Sequence, residues 1–121
     1  MSGLADADFV TALVKTKDHL QERARKHARR HALRVPFSVG IELLFVAKKH
    51  GVAFMDFLGA ASLRFDIDGI DLLLTAAEAL DQEEVRTVFD AVHAAQALHD
   101  GERLHTTDRR LLDSSFPTQG W

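Results

Sequence analysis

Cysteine is absent from the 121 residues, and with it go disulfide frameworks, thiolate metal sites, thiol nucleophiles and redox motifs. Long hydrophobic runs are missing too. No stretch approaches the roughly 18 uncharged apolar residues of a membrane span, and the opening Met-Ser-Gly-Leu-Ala-Asp has no basic flank leading into an apolar segment. A cytoplasmic protein with no membrane partner is therefore the expectation. The sequence also lacks a phosphate-cradling glycine loop, a dinucleotide fingerprint, a serine nucleophile elbow, an internal repeat and a low-complexity segment. Net charge is only −3, so the total says little about partners.

What is present is the composition of an ordinary folded domain. Apolar residues make up 46% and charged residues 27% of 121 residues, enough to bury a core without a covalent or metal staple. The periodicity points to an all-α fold, a small bundle of four or five helices, with one short extended segment at 62–69. Residues 1–113 are expected as a single helical domain and residues 114–121 as a flexible C-terminal arm.

A first helix is expected from Asp6 or Asp8, where a carboxylate can cap free N–H groups, to about Leu33. Phe9, Leu13, Thr16, Leu20, Ala24, His27 and His31 recur at three and four residues along one stripe, which weakens to alanine and histidine at its far end. Pro36 pre-sets a second helix over Phe37–His50, almost apolar all round and stopped by Gly51. Val52 to Ala61 reads as a third. Over Ser62 to Gly69, Leu63, Phe65 and Ile67 alternate with Arg64, Asp66 and Asp68, which suits either a strand paired with another subunit or an extended connector. Helices then follow over 72–80 and 82–99, the latter opened by a capping box of Asp81 and Glu84 and closed by Gly101. A short helix is expected over 107–112.

Charge divides the chain more sharply than hydropathy does. Residues 15–34 carry eight Lys or Arg against two acids, a local sum of +6, whereas residues 66–121 carry twelve acids against four arginines, a local sum of −8. Either the two poles neutralise one another within the fold or across an oligomer, or the basic segment faces an anionic partner. Arginine suits phosphate because its planar fork bonds two oxygens at once. No aromatic residue is interleaved among these cations, so stacking on single-stranded bases is not expected.

Three other motifs are weak in their spacing. His27 and His31 are four apart on a helix and could offer two imidazoles to a metal, but Ala28, Arg29 and Arg30 lie between them where a zinc-protease helix needs glutamate. Asp66-Ile-Asp-Gly-Ile-Asp71 resembles a calcium loop only briefly, because its fifth position is Ile70 and its twelfth is Ala77. His93, His99 and His105 lie among acids at loose spacing and could serve acid–base chemistry or a metal.

The expected function is a non-enzymatic protein-interaction or assembly protein, homo-oligomeric or with a protein partner, using a basic N-terminal helix and an aromatic C-terminal arm. Its contact residues would be Arg23, Arg25, Lys26, Arg29, Arg30, Arg34, Phe116 and Trp121, with no cofactor, metal or catalytic residue assigned. Two alternatives remain open: a nucleic-acid binder contacting phosphates through Arg23–Arg34, and a small enzyme or metal-binding protein using His93, His99 and His105.

Overall fold

Pro36 stands in extended conformation, with ψ at 157°, and the helix after it runs over Phe37–His50, as the sequence leads one to expect. In the computed structural model, which describes residues 2–14 and 20–121, seven helices and five short strands are found among those residues. This corrects the all-α expectation. The fold is mixed α/β, with a three-stranded sheet and a two-stranded sheet, and every ladder is parallel. The strands are two to four residues long, too short to show the period-two alternation by which a strand is read from sequence.

The chain divides into two compact units, Met1–Ile70 and Asp71–Trp121. In the first, β1 (Ser2–Leu4) leads to α1 (Ala7–Val14), then α2 (Gln21–Ala28), β2 (Ala32–Val35), α3 (Phe37–His50), α4 (Phe54–Ser62) and β3 (Asp66–Ile67). The sheet order is β1-β2-β3, with Gly3 opposite Leu33 and Val35 opposite Ile67. Parallel neighbours need long crossovers, and these are supplied by α1 with α2 and by α3 with α4.

The expected single helix from Asp6 or Asp8 to Leu33 is therefore replaced by two helices and a strand, and its stretch 15–19, with Lys15 and Lys17, lies outside the described residues. Asp6 does cap α1, its Oδ1 accepting from the Phe9 N–H at 2.9 Å. Of the segment 62–69 only Asp66–Ile67 is strand, and it pairs within the chain, with β2; Ser62 still belongs to α4. The core of this unit gathers Val10, Val35, Leu43, Leu44, Leu58 and Ala61, all fully or almost fully buried.

The second unit contains most of α5 (Ile70–Asp81), then α6 (Val88–Asp100), β4 (Leu104–Thr106), α7 (Arg109–Leu112) and β5 (Thr118–Gly120). Asp81 ends α5 instead of capping the next helix, and α6 starts six residues later than expected, at Val88, where Thr87 accepts from the Asp90 N–H at 3.2 Å. Glu84 closes no capping box; its carboxylate accepts from the Ser115 N–H. Asp108 caps α7 with bonds of 2.9 and 3.2 Å from the N–H groups of Arg110 and Leu111.

Residues 118–120 of the expected arm pair with β4, and Phe116 is buried. Leu73, Ala76, Val88, Ala91 and Ala95 are buried to within about a hundredth of their surface in this unit. No helix among the described residues is long and apolar enough to cross a membrane.

Candidate functional site

Gln, Glu, Arg, Ala, Arg and Lys are all strong helix formers, which favours helix over Gln21–Ala28, and packing against α1, where Phe9 meets His27, supplies what eight residues alone lack. Only Ala24 of α2 is buried. Glu22 stands in the first turn and Arg25 and Lys26 in the last, where each charge complements the helix dipole. At 100° per residue, Ala24 faces inward, Arg23, Lys26 and Arg30 fall to one side, and Arg25 and Arg29 to the other. All five cations are exposed, and among the described residues none of their side chains has an ion-pair or hydrogen-bond partner.

Each side of α2 borders a depression. The first, about 470 Å³, has an apolar floor from Phe9, Ala12, Leu20 and Ala24 and is bordered by Asp8, Arg23, Lys26, His27, Arg30 and His31. The second, about 660 Å³, is lined by Leu13, Arg25, Ala28, Arg29, His31, Ala32, Leu33, Arg64 and Phe65. His31 borders both and so stands on the crest between them. Arg64, far from the basic segment in sequence, joins its second side; its sole signal was its charge in the alternating run after Ser62.

The rings beside α2 form a connected series. Phe9 packs edge to face with Phe65 at 6.0 Å and with His27 at 5.5 Å, and His27 stacks on His31 at 4.1 Å with 17° between the planes. His31 Nδ1 lies 3.1 Å from the His27 carbonyl oxygen. A carbonyl can only accept, so Nδ1 carries the proton, which fixes the ring's orientation and leaves Nε2 as its outward nitrogen. Two imidazoles are not a metal centre, and no group of three His, Asp or Glu that could hold a metal occurs among the described residues.

The remaining expected contact residues fall elsewhere. Arg34 on β2 forms an ion pair with Asp68, beside the β2–β3 ladder. Phe116 is 8% exposed and Trp121 83%. His93 lies 6.2 Å from the Phe89 ring, and His105 sits on β4 opposite Gln119. His99 Nε2 lies 3.0 Å from Thr75 Oγ1, whose single hydroxyl proton is given to the Asp71 carbonyl at 3.1 Å. His99 is therefore the donor there, and its Nε2 holds a proton rather than awaiting one. The structure thus engages the three histidines separately.

A depression of about 460 Å³ in the second unit went unnoticed in the sequence; Asp90, Asp108 and Asp113 line it together with Arg86, Arg109 and Arg110. Its carboxylates come from the start of α6 (Asp90) and from the two ends of α7 (Asp108 and Asp113), and no spacing rule joins them.

No family model and no curated protein matches the chain. Among solved structures, the chain is similar to one in the crystal structure of VapBC2 from Rickettsia felis bound to a DNA fragment from their promoter. The match has 14% identity and a TM-score of 0.38, covering 100% of this chain and 99% of that one. At this distance the functional reading rests on the geometry of α2.

Proposed function

We propose that the protein binds nucleic acid through the phosphate backbone, with α2 as its contact element. The observation that carries this reading is the set of five exposed cations, Arg23, Arg25 and Lys26 on a helix that buries one alanine and Arg29 and Arg30 in the turn that ends it, their side chains without ion-pair or hydrogen-bond partners among the described residues. Like charges three and four residues apart each destabilise a helix by about 0.2–0.5 kcal/mol. A bound polyanion relieves that repulsion, and α2 gives nothing else to the core that would explain its sequence.

Eight helical residues span about 12 Å. A protein partner would have to concentrate several carboxylates within that footprint, whereas a nucleic-acid strand repeats a phosphate about every 3.4 Å of rise. Such contacts fix the position of a strand without reading its sequence. Arg34 and Phe116 are left out of this interface, the first because Asp68 already pairs it and the second because it is buried.

Anisotropy of a fluorescein-labelled 20-nucleotide oligonucleotide between 50 and 300 mM salt tests the reading. Affinity should fall steeply with salt, and Arg25→Ala, Arg29→Ala and Arg30→Ala together should weaken binding about 100-fold at the lowest salt and flatten the salt slope by about two units. An unchanged affinity in the triple variant, or no binding at 50 mM, would sink it.

One observation favours a second reading, assembly through a protein contact: Trp121 is 83% exposed beside β5, and tryptophan is enriched among the anchors of protein interfaces. Light scattering on the same preparations decides it. An oligomer that Trp121→Ala dissociates supports assembly, and a monomer removes it.

A further inference from the structure

The cationic stretch of the sequence contains no Phe, Tyr or Trp, but its own His27 and His31 stack on one another and the fold brings Phe9 and Phe65 to them. Phe65 is buried and anchors Phe9; Phe9 meets the edge of His27; His27 stacks on His31. The last ring is held twice, by the stack and by its Nδ1–H donated to the His27 carbonyl, and both histidines are exposed. A ring oriented in this way presents a flat face at little entropic cost, because the side chain is already ordered before a ligand arrives.

The position of that ring matters as much as its orientation. His31 stands between the two depressions, with Arg23, Lys26 and Arg30 on one side and Arg25, Arg29 and Arg64 on the other. The nearer depression has an apolar floor and a volume of about 470 Å³, at the small end of the range of roughly 300–1,000 Å³ for pockets that take small ligands. Guanidinium and ammonium groups flank a flat apolar seat. That is the chemistry of a nucleotide whose base is not paired: the π-face on the ring and floor, the phosphates before and after it on the two cationic banks.

We propose that the interface of α2 is selective for single-stranded nucleic acid, an unpaired base stacking at His27 and His31 while the strand crosses the helix. This rests on the phosphate-binding reading above and adds to it the state of the strand. A duplex keeps its bases inside the stack and can engage only the cations, so it gains nothing from the rings. Stacking of one base on an aromatic ring accounts for a preference of about tenfold.

The test compares a 12-nucleotide single strand with a duplex of the same sequence at 100 mM salt, using the intact chain and three variants. His31→Ala should lower single-strand affinity about tenfold and leave the duplex unchanged. His31→Phe, which keeps a ring and removes any charge, should hold single-strand affinity within about twofold of the original. His31→Lys, which keeps a charge and removes the ring, should behave as His31→Ala does. Because His31 is exposed, circular dichroism of each variant should match that of the parent.

Equal affinity for strand and duplex overturns the proposal and leaves phosphate binding intact. So does a His31→Lys variant that binds the single strand as well as the parent, since charge alone would then suffice. Failure of both oligonucleotides to bind removes the phosphate-binding reading and this one with it.

Discussion

The helices α2 and α6 are opposite solutions to making a helix. In α6, Val88, Ala91, Val92, Ala94, Ala95 and Ala97 are buried, Thr87 caps the start and Gly101 takes the left-handed turn at the end, with φ at 67°. In α2, one alanine is buried and Leu20 offers no side-chain cap. The first is held by a broad buried face, since packing supplies most of the stability of helices in proteins, and the second by a narrow contact with α1 helped by propensity and dipole complementarity. Charge follows the same division. Met1–Ile70 carries eleven Lys or Arg against eight acids, and Asp71–Trp121 four against ten. A helix that buries one residue, and whose cations have no ion-pair partner among the described residues, is the natural place to test for a surface role.

This contrast does not extend to the cores. Leu43 in the first unit and Leu73 in the second are both fully buried, so Leu43→Ala and Leu73→Ala should each cost about 3 kcal/mol, from lost transfer energy and the cavity left behind. Thermal unfolding read by circular dichroism checks this, with a fall of roughly 4 °C in Tm per kcal/mol expected for a chain of this size. Should Leu43→Ala be nearly silent while Leu73→Ala is severe, the first unit would be loosely packed throughout, and the exposure of α2 would reflect poor packing rather than a built surface.

The parts of this fold that were legible in the sequence are those with strong local causes. Pro36 and Gly51 bracket α3 at the expected residues because one pre-sets φ and the other accepts a left-handed turn. Asp6 caps α1 as its position before an apolar stripe implies. The strands were hidden because two to four residues carry no period, and β2 lay inside what reads as the tail of a basic helix. Residues 32–35 are extended because both β1 and β3 hydrogen-bond to them, a cause that lies thirty residues away on either side. The cations of α2 were visible as composition. The ring series was not, because Phe9 meets His27 across eighteen residues. The stripe placed both on one face of one helix, whereas the chain folds back to bring them into contact.

Two glycines sharpen the comparison between the units, since their backbones are alike and their surroundings are not. Gly69 has φ at 70° and Gly101 at 67°, a region in which a Cβ costs about 1–2 kcal/mol. A Cβ on Gly101 would meet nothing within 4 Å, but one on Gly69 would lie 2.6 Å from the Phe37 ring. Gly101→Ala should therefore cost about 1 kcal/mol and Gly69→Ala about 3, the excess being the displacement of Phe37. Urea unfolding of the two variants reads the difference directly. Equal costs would mean that Phe37 moves aside freely, and that the turn after β3 is less tightly set than the helix end after α6.

The smallest effect should come from the one ion pair that joins β2 to the turn after β3. Arg34 and Asp68 have side chains 51% and 45% exposed, so water screens their attraction and each gives up side-chain freedom to hold it. Exposed pairs of this kind contribute about 0–1 kcal/mol. The backbone here is secured independently, by the Asp68 N–H to the Val35 carbonyl at 2.8 Å and the Ala5 N–H to the Arg34 carbonyl at 2.9 Å. Arg34→Ala should accordingly lower stability by less than about 0.5 kcal/mol and leave oligonucleotide affinity within about twofold, although Arg34 is as cationic as its neighbours in sequence. A loss of affinity equal to that of Arg29→Ala would show that the pair opens to receive the strand, and would extend the cationic surface from α2 onto the sheet. An unchanged affinity would mark the boundary of that surface at the point where an arginine already has its carboxylate.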